Sequence, residues 1–297
     1  MNRMRWIAGL LVLLPVLACT ILTPATPAPI TPTSSPVPPL TADMLRNATY
    51  HLPQFGLTVT FTDGEYHNGS DTEPVNAWLT EPFAFSDING DGALDAAVLL
   101  SENGGGTGTF VSVVVMLNQA GHPEQSHDAT IDDRPIISGI SAVDGRIMVE
   151  AVLHASDDAA CCPTFSATQT WHWSPARLTL VRFSSRTPTD QERAILINSP
   201  VSGASVSGSV AVQGTVTIAP FENTLAYRFY NLGETKLSEG SIMVDAADFG
   251  GPGTINVSIP LPAVAVGTHI RLELLDLSAK DGAMLAMDSV ELQVSGE

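Results

Sequence analysis

Three oxygen-bearing side chains at alternating positions, with a fourth four residues on, form the strongest chemical pattern in the chain. Asp87-x-Asn89-x-Asp91-Gly92-x-x-Asp95 puts ligands at the first, third and fifth positions and a glycine at the turn, the opening of a calcium loop. The bidentate Glu that closes a twelve-residue calcium loop is absent, because that position is Val98. Asp95 would have to supply the closing carboxylate. The same residues also describe an Asx-rich turn whose side chains bond their own backbone without any ion. Both readings stand at this level.

A second constellation gathers His154, Asp157, Asp158, Cys161 and Cys162. Thiolate and imidazole suit a soft metal, but adjacent cysteines seldom close a tetrahedral site alone, and no CxxC or HxxxH pair supplies the missing ligands. An oxidising compartment favours a disulfide. Neighbouring Cα atoms lie about 3.8 Å apart, below the usual span of a bridge, so a Cys161–Cys162 disulfide would be a tight vicinal turn. Two free thiols are the competing reading.

Other chemistry finds less support. Gly203-Ala204-Ser205-Val206-Ser207 misses the Gly-x-Ser-x-Gly nucleophile pattern, and a strand follows it where that pattern needs a helix. The glycines of Glu102–Gly108 also precede a strand, which argues against a phosphate cradle at a helix N-terminus. Trp171 and Trp173 share one face of a strand, with His172 on the other. That describes a sugar-stacking platform or a buried pair, and the core is the commoner home of two indoles.

The segments around these residues read as strands. After a short helical opening at Thr41–Leu45, runs rich in Val, Ile, Thr and aromatics fall at 48–52, 57–61, 84–86, 96–101, 109–117, 135–141, 146–153, 166–173 and 178–183. Asp144-Gly145 signals a tight hairpin turn between two of them. Polar, unpatterned Ser184–Arg193 marks a domain boundary. Seven further runs, at 194–198, 210–216, 225–230, 240–244, 253–259, 269–276 and 289–294, have the spacing of a β-sandwich. The fold class is therefore all-β with minor α: a strand-rich domain over 41–184 and a sandwich over 194–297.

The N-terminus carries an address. Arg3 and Arg5 precede an apolar stretch from Trp6 to Ala18, too short to span a bilayer and interrupted by Pro15, as in a secretory signal. Val16-Leu17-Ala18-Cys19 resembles the lipobox of bacterial lipoproteins. The resemblance implies a signal peptide over 1–18 and acylation of Cys19 as the first mature residue. Residues 20–40 are uncharged, free of glycine and punctuated by seven prolines, so 19–40 reads as a lipidated cysteine and linker. At about 3.1 Å per residue such a spacer reaches roughly 60 Å.

Thirty-one acidic residues oppose thirteen basic ones, a net charge of −18, and Lys236 and Lys280 are the only lysines. No basic patch neutralises phosphates, so nucleic acid is excluded as a partner. Anionic headgroups repel this surface, leaving the lipid on Cys19 as the membrane contact.

Three blocks in the last third carry a family resemblance. They are Ile197-Asn198-Ser199-Pro200 with Gly203 and Val206–Gly214, then Phe221-Glu222-Asn223, then Leu275–Gly282. In this order they resemble the immunoglobulin-like domain of bacterial spore germination proteins, which implies a sandwich common in secreted and lipid-anchored proteins and brings no catalytic residues. In the middle domain, the Asp87–Val98 segment resembles extracytoplasmic bacterial domains with a similar loop, and Cys161-Cys162-Pro163-Thr164 resembles the CCP element of certain actinobacterial lipoproteins. These likenesses imply an envelope lipoprotein and no mechanism. The reading is a lipid-anchored, extracytoplasmic, non-enzymatic protein with an accessory binding role, its partner an envelope protein or glycan and its one candidate cofactor calcium. A ligand-sensing or inhibitor lipoprotein is the first alternative, and a hydrolase with dispersed carboxylates the second.

Overall fold

The chain enters its fold through one capped helical turn. In the computed structural model, which describes residues 37–296, Thr41 Oγ1 accepts from the Met44 amide at 3.2 Å and opens α1 (Ala42–Arg46). The signal, Cys19 and most of the linker lie outside the described residues. The last linker residues are docked: Leu40 is buried, and the Pro38 carbonyl accepts from Asn118 Nδ2 at 2.9 Å. After α1 comes a hairpin of β1 (Thr49–Leu52) and β2 (Leu57–Thr60). Helix and hairpin bury Leu45, Tyr50, Leu52 and Phe61 against the sheet that follows.

That sheet is an antiparallel meander of β3 (Glu65–His67), β4 (Asn76–Ser86), β5 (Asp95–Asn103), β6 (Phe110–Gln119) and β7 (His122–Asp133). β5 and β6 are buried on nearly every residue because both of their faces are covered. Val98, Leu100, Val114 and Met116 face the helix and hairpin, while Leu99, Val113 and Val115 face a second sheet. The second sheet starts with β8 (Ile136–Val143), β9 (Arg146–Leu153), β10 (Phe165–Ser174) and β11 (Arg177–Arg186). β9 shows strict alternation, with Ile147, Val149, Ala151 and Leu153 inward and Arg146, Met148 and Glu150 exposed. Asp144 and Gly145 take positive φ of 50° and 71° in the turn before it, the pair of values a tight primed hairpin needs.

Beyond β12 (Glu192–Arg193), the remaining strands are β13 (Ile195–Ser199), β14 (Ala204–Val206), β15 (Ser209–Val216), β16 (Thr224–Asn231), β17 (Lys236–Met243), β18 (Asp245–Ala246), β19 (Gly253–Pro260), β20 (His269–Leu277) and β21 (Met284–Val294). They form two layers. One is β13-β15-β19-β18, and the other is β17-β16-β20-β21 with β14 added in parallel. Val212, Leu225, Phe229, Ile270, Leu272 and Leu292 fill the space between them without a disulfide. All seven runs expected here are strands, and the described residues are all-β with one helical turn and one 3-10 turn at Phe221–Asn223.

The two parts are joined by a shared sheet. β11 pairs with β21 through Arg182↔Asp288 and Phe183↔Met287, so β8–β12 and β14, β16, β17, β20 and β21 belong to one ten-stranded sheet. Leu275 and Met287 of the sandwich also enter the core of the preceding domain. The Ser184–Arg193 segment contains the end of β11 and all of β12, and the chain from Val37 onward forms one compact unit.

Candidate functional site

The Asp87–Asp95 loop links β4 to β5 and is knitted by its own side chains. Asp87 Oδ1 accepts from the amides of Gly90 and Asp91, at 2.8 and 3.1 Å, and its Oδ2 from Gly92 at 2.9 Å. Asn89 Oδ1 accepts from the Asp91 amide and Asp91 Oδ1 from the Ala93 amide, while Asn89 Nδ2 donates to Asp91 Oδ2 at 2.9 Å. Asp95 is fully buried. Its Oδ2 accepts from Ile88 and Asn89, and its Oδ1 reaches the Asn118 amide at the end of β6, at 2.8 Å. Burial raises the Asp95 carboxyl, and the three amides partly offset that rise. The four residues named for calcium thus sit in one turn, and the oxygens a cation would use already accept amides. Among the described residues, no three His, Cys, Asp or Glu side chains converge on a point that could hold a metal.

The second constellation is an ordered loop between β9 and β10. Cys161 and Cys162 are joined as a disulfide, with Cα atoms 3.8 Å apart, and both residues are exposed. Asp158 closes the loop independently of the bridge. Its Oδ2 accepts from the Ala155 and Thr164 amides, at 2.8 and 2.7 Å, and the Thr164 hydroxyl adds a third bond. His154 bridges the end of β7 and the disulfide loop. Its backbone amide donates to Asp132 Oδ2 at 2.7 Å, its Nδ1 lies 3.2 Å from the same oxygen, and its Nε2 lies 3.2 Å from the Ala160 carbonyl. Sequence spacing could not bring Asp132, twenty-two residues earlier, into this group; the packing of the two sheets, with Ile131 and Leu153 in one core, does.

This loop meets the turn between β20 and β21. Asp157 pairs with Lys280, and the Ser156 hydroxyl donates to Asp281. Two adjoining clefts of about 380 and 660 Å³ flank the junction and share Ala155, Phe165 and Leu285. Ile131, Leu153 and Met284 supply apolar walls to the smaller one, and Arg186, Asp190 and Arg193 rim the larger. A concave site with an apolar floor and a few polar groups at a domain junction is the usual setting of a ligand. Each polar group around the smaller cleft is engaged: His154 at both nitrogens, Ser156 by Asp281, and Asp157 by Lys280.

Trp171 is buried in the core between the sheets, and Trp173 packs beside it with its indole N–H donating to Ser126 Oγ at 3.0 Å. His172 points the other way, near the Gly145 carbonyl. The tryptophans are therefore core and no stacking platform. A group that the sequence did not single out is Glu102. Buried under the β1–β2 hairpin, it accepts among the described residues only from the Gln54 amide, at 3.3 and 3.4 Å. Burial pushes its carboxyl up to about 7, with Asp128 adding to the rise.

Comparison with known families matches residues 194–283 to the immunoglobulin-like domain of bacterial spore germination. The match lies within the C-terminal sandwich and leaves the domain with the disulfide loop outside it. No curated protein is significantly similar to the chain. Among the described residues, no helix is long and apolar enough to cross a membrane.

Proposed function

We propose that this chain is a lipid-anchored extracytoplasmic binding protein, tethered through Cys19, which takes an envelope protein or glycan in the cleft between the disulfide loop and the β20–β21 turn. The carrying observation is the saturation of the cleft's polar groups. Hydrolysis through a covalent intermediate of the serine type needs a nucleophile beside a base with a free lone pair. Here Ser156 donates to Asp281, and both ring nitrogens of His154 face acceptors, Asp132 and the Ala160 carbonyl. What remains to a partner is shape, apolar wall and fixed dipoles, which is the equipment of recognition.

Three features support the tether and its location. Val16-Leu17-Ala18-Cys19 and the proline-rich segment form an anchor and spacer. The Cys161–Cys162 disulfide fits an oxidising compartment. The match of residues 194–283 to an immunoglobulin-like domain of bacterial spore germination adds a sandwich whose resemblance implies secreted or lipid-anchored proteins.

Filling the cleft tests the reading. Ala155 lines both clefts, so Ala155→Trp closes them from within. Full-length protein displayed on envelopes is cross-linked to its neighbours, and wild type and variant are compared. The reading expects a defined adduct that Ala155→Trp loses while its melting temperature holds. Equal adducts from both proteins would move the binding surface elsewhere.

A further inference from the structure

The face of the sandwich beneath the β10–β11 hairpin contains a further recess, about 320 Å³ in volume, which shares Met284 with the disulfide-loop cleft. Its floor is apolar, formed by Leu178, Leu180, Leu275, Met284 and Met287. Arg177, Arg228 and Arg271 line it with Glu234 and Glu273. In a chain of net charge −18, the three guanidinium groups around this hollow outnumber its two carboxylates.

Two of the three are spoken for. Arg271 gives both arms of its fork to Glu234, at 2.6 Å each, and its Nη2 also donates to Glu273 at 2.8 Å. Arg177 Nη1 lies 2.9 Å from Glu234, tying the hairpin end to the sandwich. Arg228 differs. It lies on β16 directly across from Glu239 and Glu273. Yet its nearest carboxylate oxygen, on Glu239, is 3.8 Å away and is held instead by Lys236 at 2.8 Å. Among the described residues its guanidinium makes no hydrogen bond, although its side chain is only 33% exposed. A part-exposed guanidinium with no hydrogen-bonded acceptor is open to one arriving from solvent, and the charge-assisted bond it then makes displaces no existing hydrogen bond.

We infer that this recess binds a carboxylate carried on a compact apolar body, with Arg228 as the group that takes the carboxylate. A guanidinium fork matches the two oxygens of a carboxylate in one plane. The leucine and methionine floor accommodates the rest of the ligand by burying hydrocarbon. A phosphate fits less well, since its remaining oxygens would face methionine and leucine without donors. The same chemistry is offered by a small organic acid and by the C-terminus of a peptide ending in an apolar residue. This site and the disulfide-loop cleft stand or fall separately.

The test uses the full chain and matched probes: 3-phenylpropionate, the corresponding alcohol 3-phenylpropan-1-ol, and short peptides ending in Leu with a free or amidated C-terminus. Binding is read by ligand-detected NMR and by melting temperature. The acid is expected to bind at least about tenfold more tightly than the alcohol, and Arg228→Gln to lose at least about tenfold of that affinity. Arg228→Lys, which keeps the charge and loses the fork, should fall between, and it carries the comparison should Arg228→Gln melt early. A peptide that binds with a free but not an amidated end identifies a polypeptide source, and binding of phenylpropionate alone a small acid. Equal binding of acid and alcohol, no effect of either Arg228 substitution, or no binding by the wild type at about 10 mM of any acid overturns the assignment.

Discussion

Arg182 on β11 and Asp288 on β21 form a two-pronged ion pair across the line where the two domains share a sheet. Arg182 Nε and Nη2 donate to Asp288 Oδ1 and Oδ2 at 3.1 and 3.3 Å, and Asp288 Oδ2 also accepts from the Ile197 amide at 2.8 Å. One buried carboxylate thus fastens the last strand of the first domain, the first long strand of the sandwich and its own strand β21. Asp288→Ala should cost about 2–3 kcal/mol, with the exposed half of Arg182 moderating the loss. In calorimetry, wild type and variant should each unfold in one transition, because the seam is continuous sheet. Two separated transitions in the wild type would show that the domains are thermodynamically independent.

Glu102 gives the fold a pH dependence. Its carboxyl is raised by burial from 4.5 when unfolded to about 7 in the folded chain. The folded state therefore holds the proton more tightly. The stabilisation is full below the unfolded value, falls as pH rises between the two, and is flat above the folded one. The loss across that window is about 3 kcal/mol. Glu102→Gln should match wild type near pH 4.5 and exceed it at pH 8, as read by urea unfolding at both values. A wild type with the same stability at both ends would contradict this assignment.

Asp95 is the keystone of the β4–β5 loop. Asp95→Ala strands the amides of Ile88, Asn89 and Asn118 and should cost about 3 kcal/mol or more, with Asp95→Asn milder. Since the loop satisfies itself, the wild-type melting temperature should be the same in millimolar calcium and in chelator. A calcium-dependent rise that Asp91→Ala abolishes would instead establish an ion at these residues.

Reducing the Cys161–Cys162 bond should leave the fold in place. The bridge closes no chain between its ends, so it restricts the unfolded state little, and Asp158 with Thr164 and Asp157 with Lys280 hold the loop without it. Stability with and without reductant should differ by less than about 1 kcal/mol. Thiol counting on unreduced, denatured protein should find neither cysteine free.

The strands of the sandwich were legible because each is a short apolar run between turn residues, and its core needs nothing but that alternation. The first domain was harder. β7 reads His-Pro-Glu-Gln-Ser-His-Asp across its first half, a polar string that becomes a strand only because β6 offers it a full edge. Most of β4 was missed because Pro82 interrupts it, and the structure places that proline in a register break between Thr80 and Ala84. Trp171 and Trp173 were placed correctly by the two-residue period. The loop of Asp87–Asp95 was visible as a turn, whereas its dependence on Asn118 was not. Likewise His154 and Asp132, or Arg228 and its recess, meet only through sheet packing and sheet order, which no local spacing encodes.

The tether is the central claim, since it sets the compartment in which every cleft and surface of this chain works. The direct measurement is intact mass and N-terminal fragment analysis of the protein taken from membranes. The account predicts a mature chain beginning at Cys19 and bearing diacylglycerol, and a Cys19→Ser form that is released or left unprocessed. A mature N-terminus elsewhere, without lipid, would contradict it.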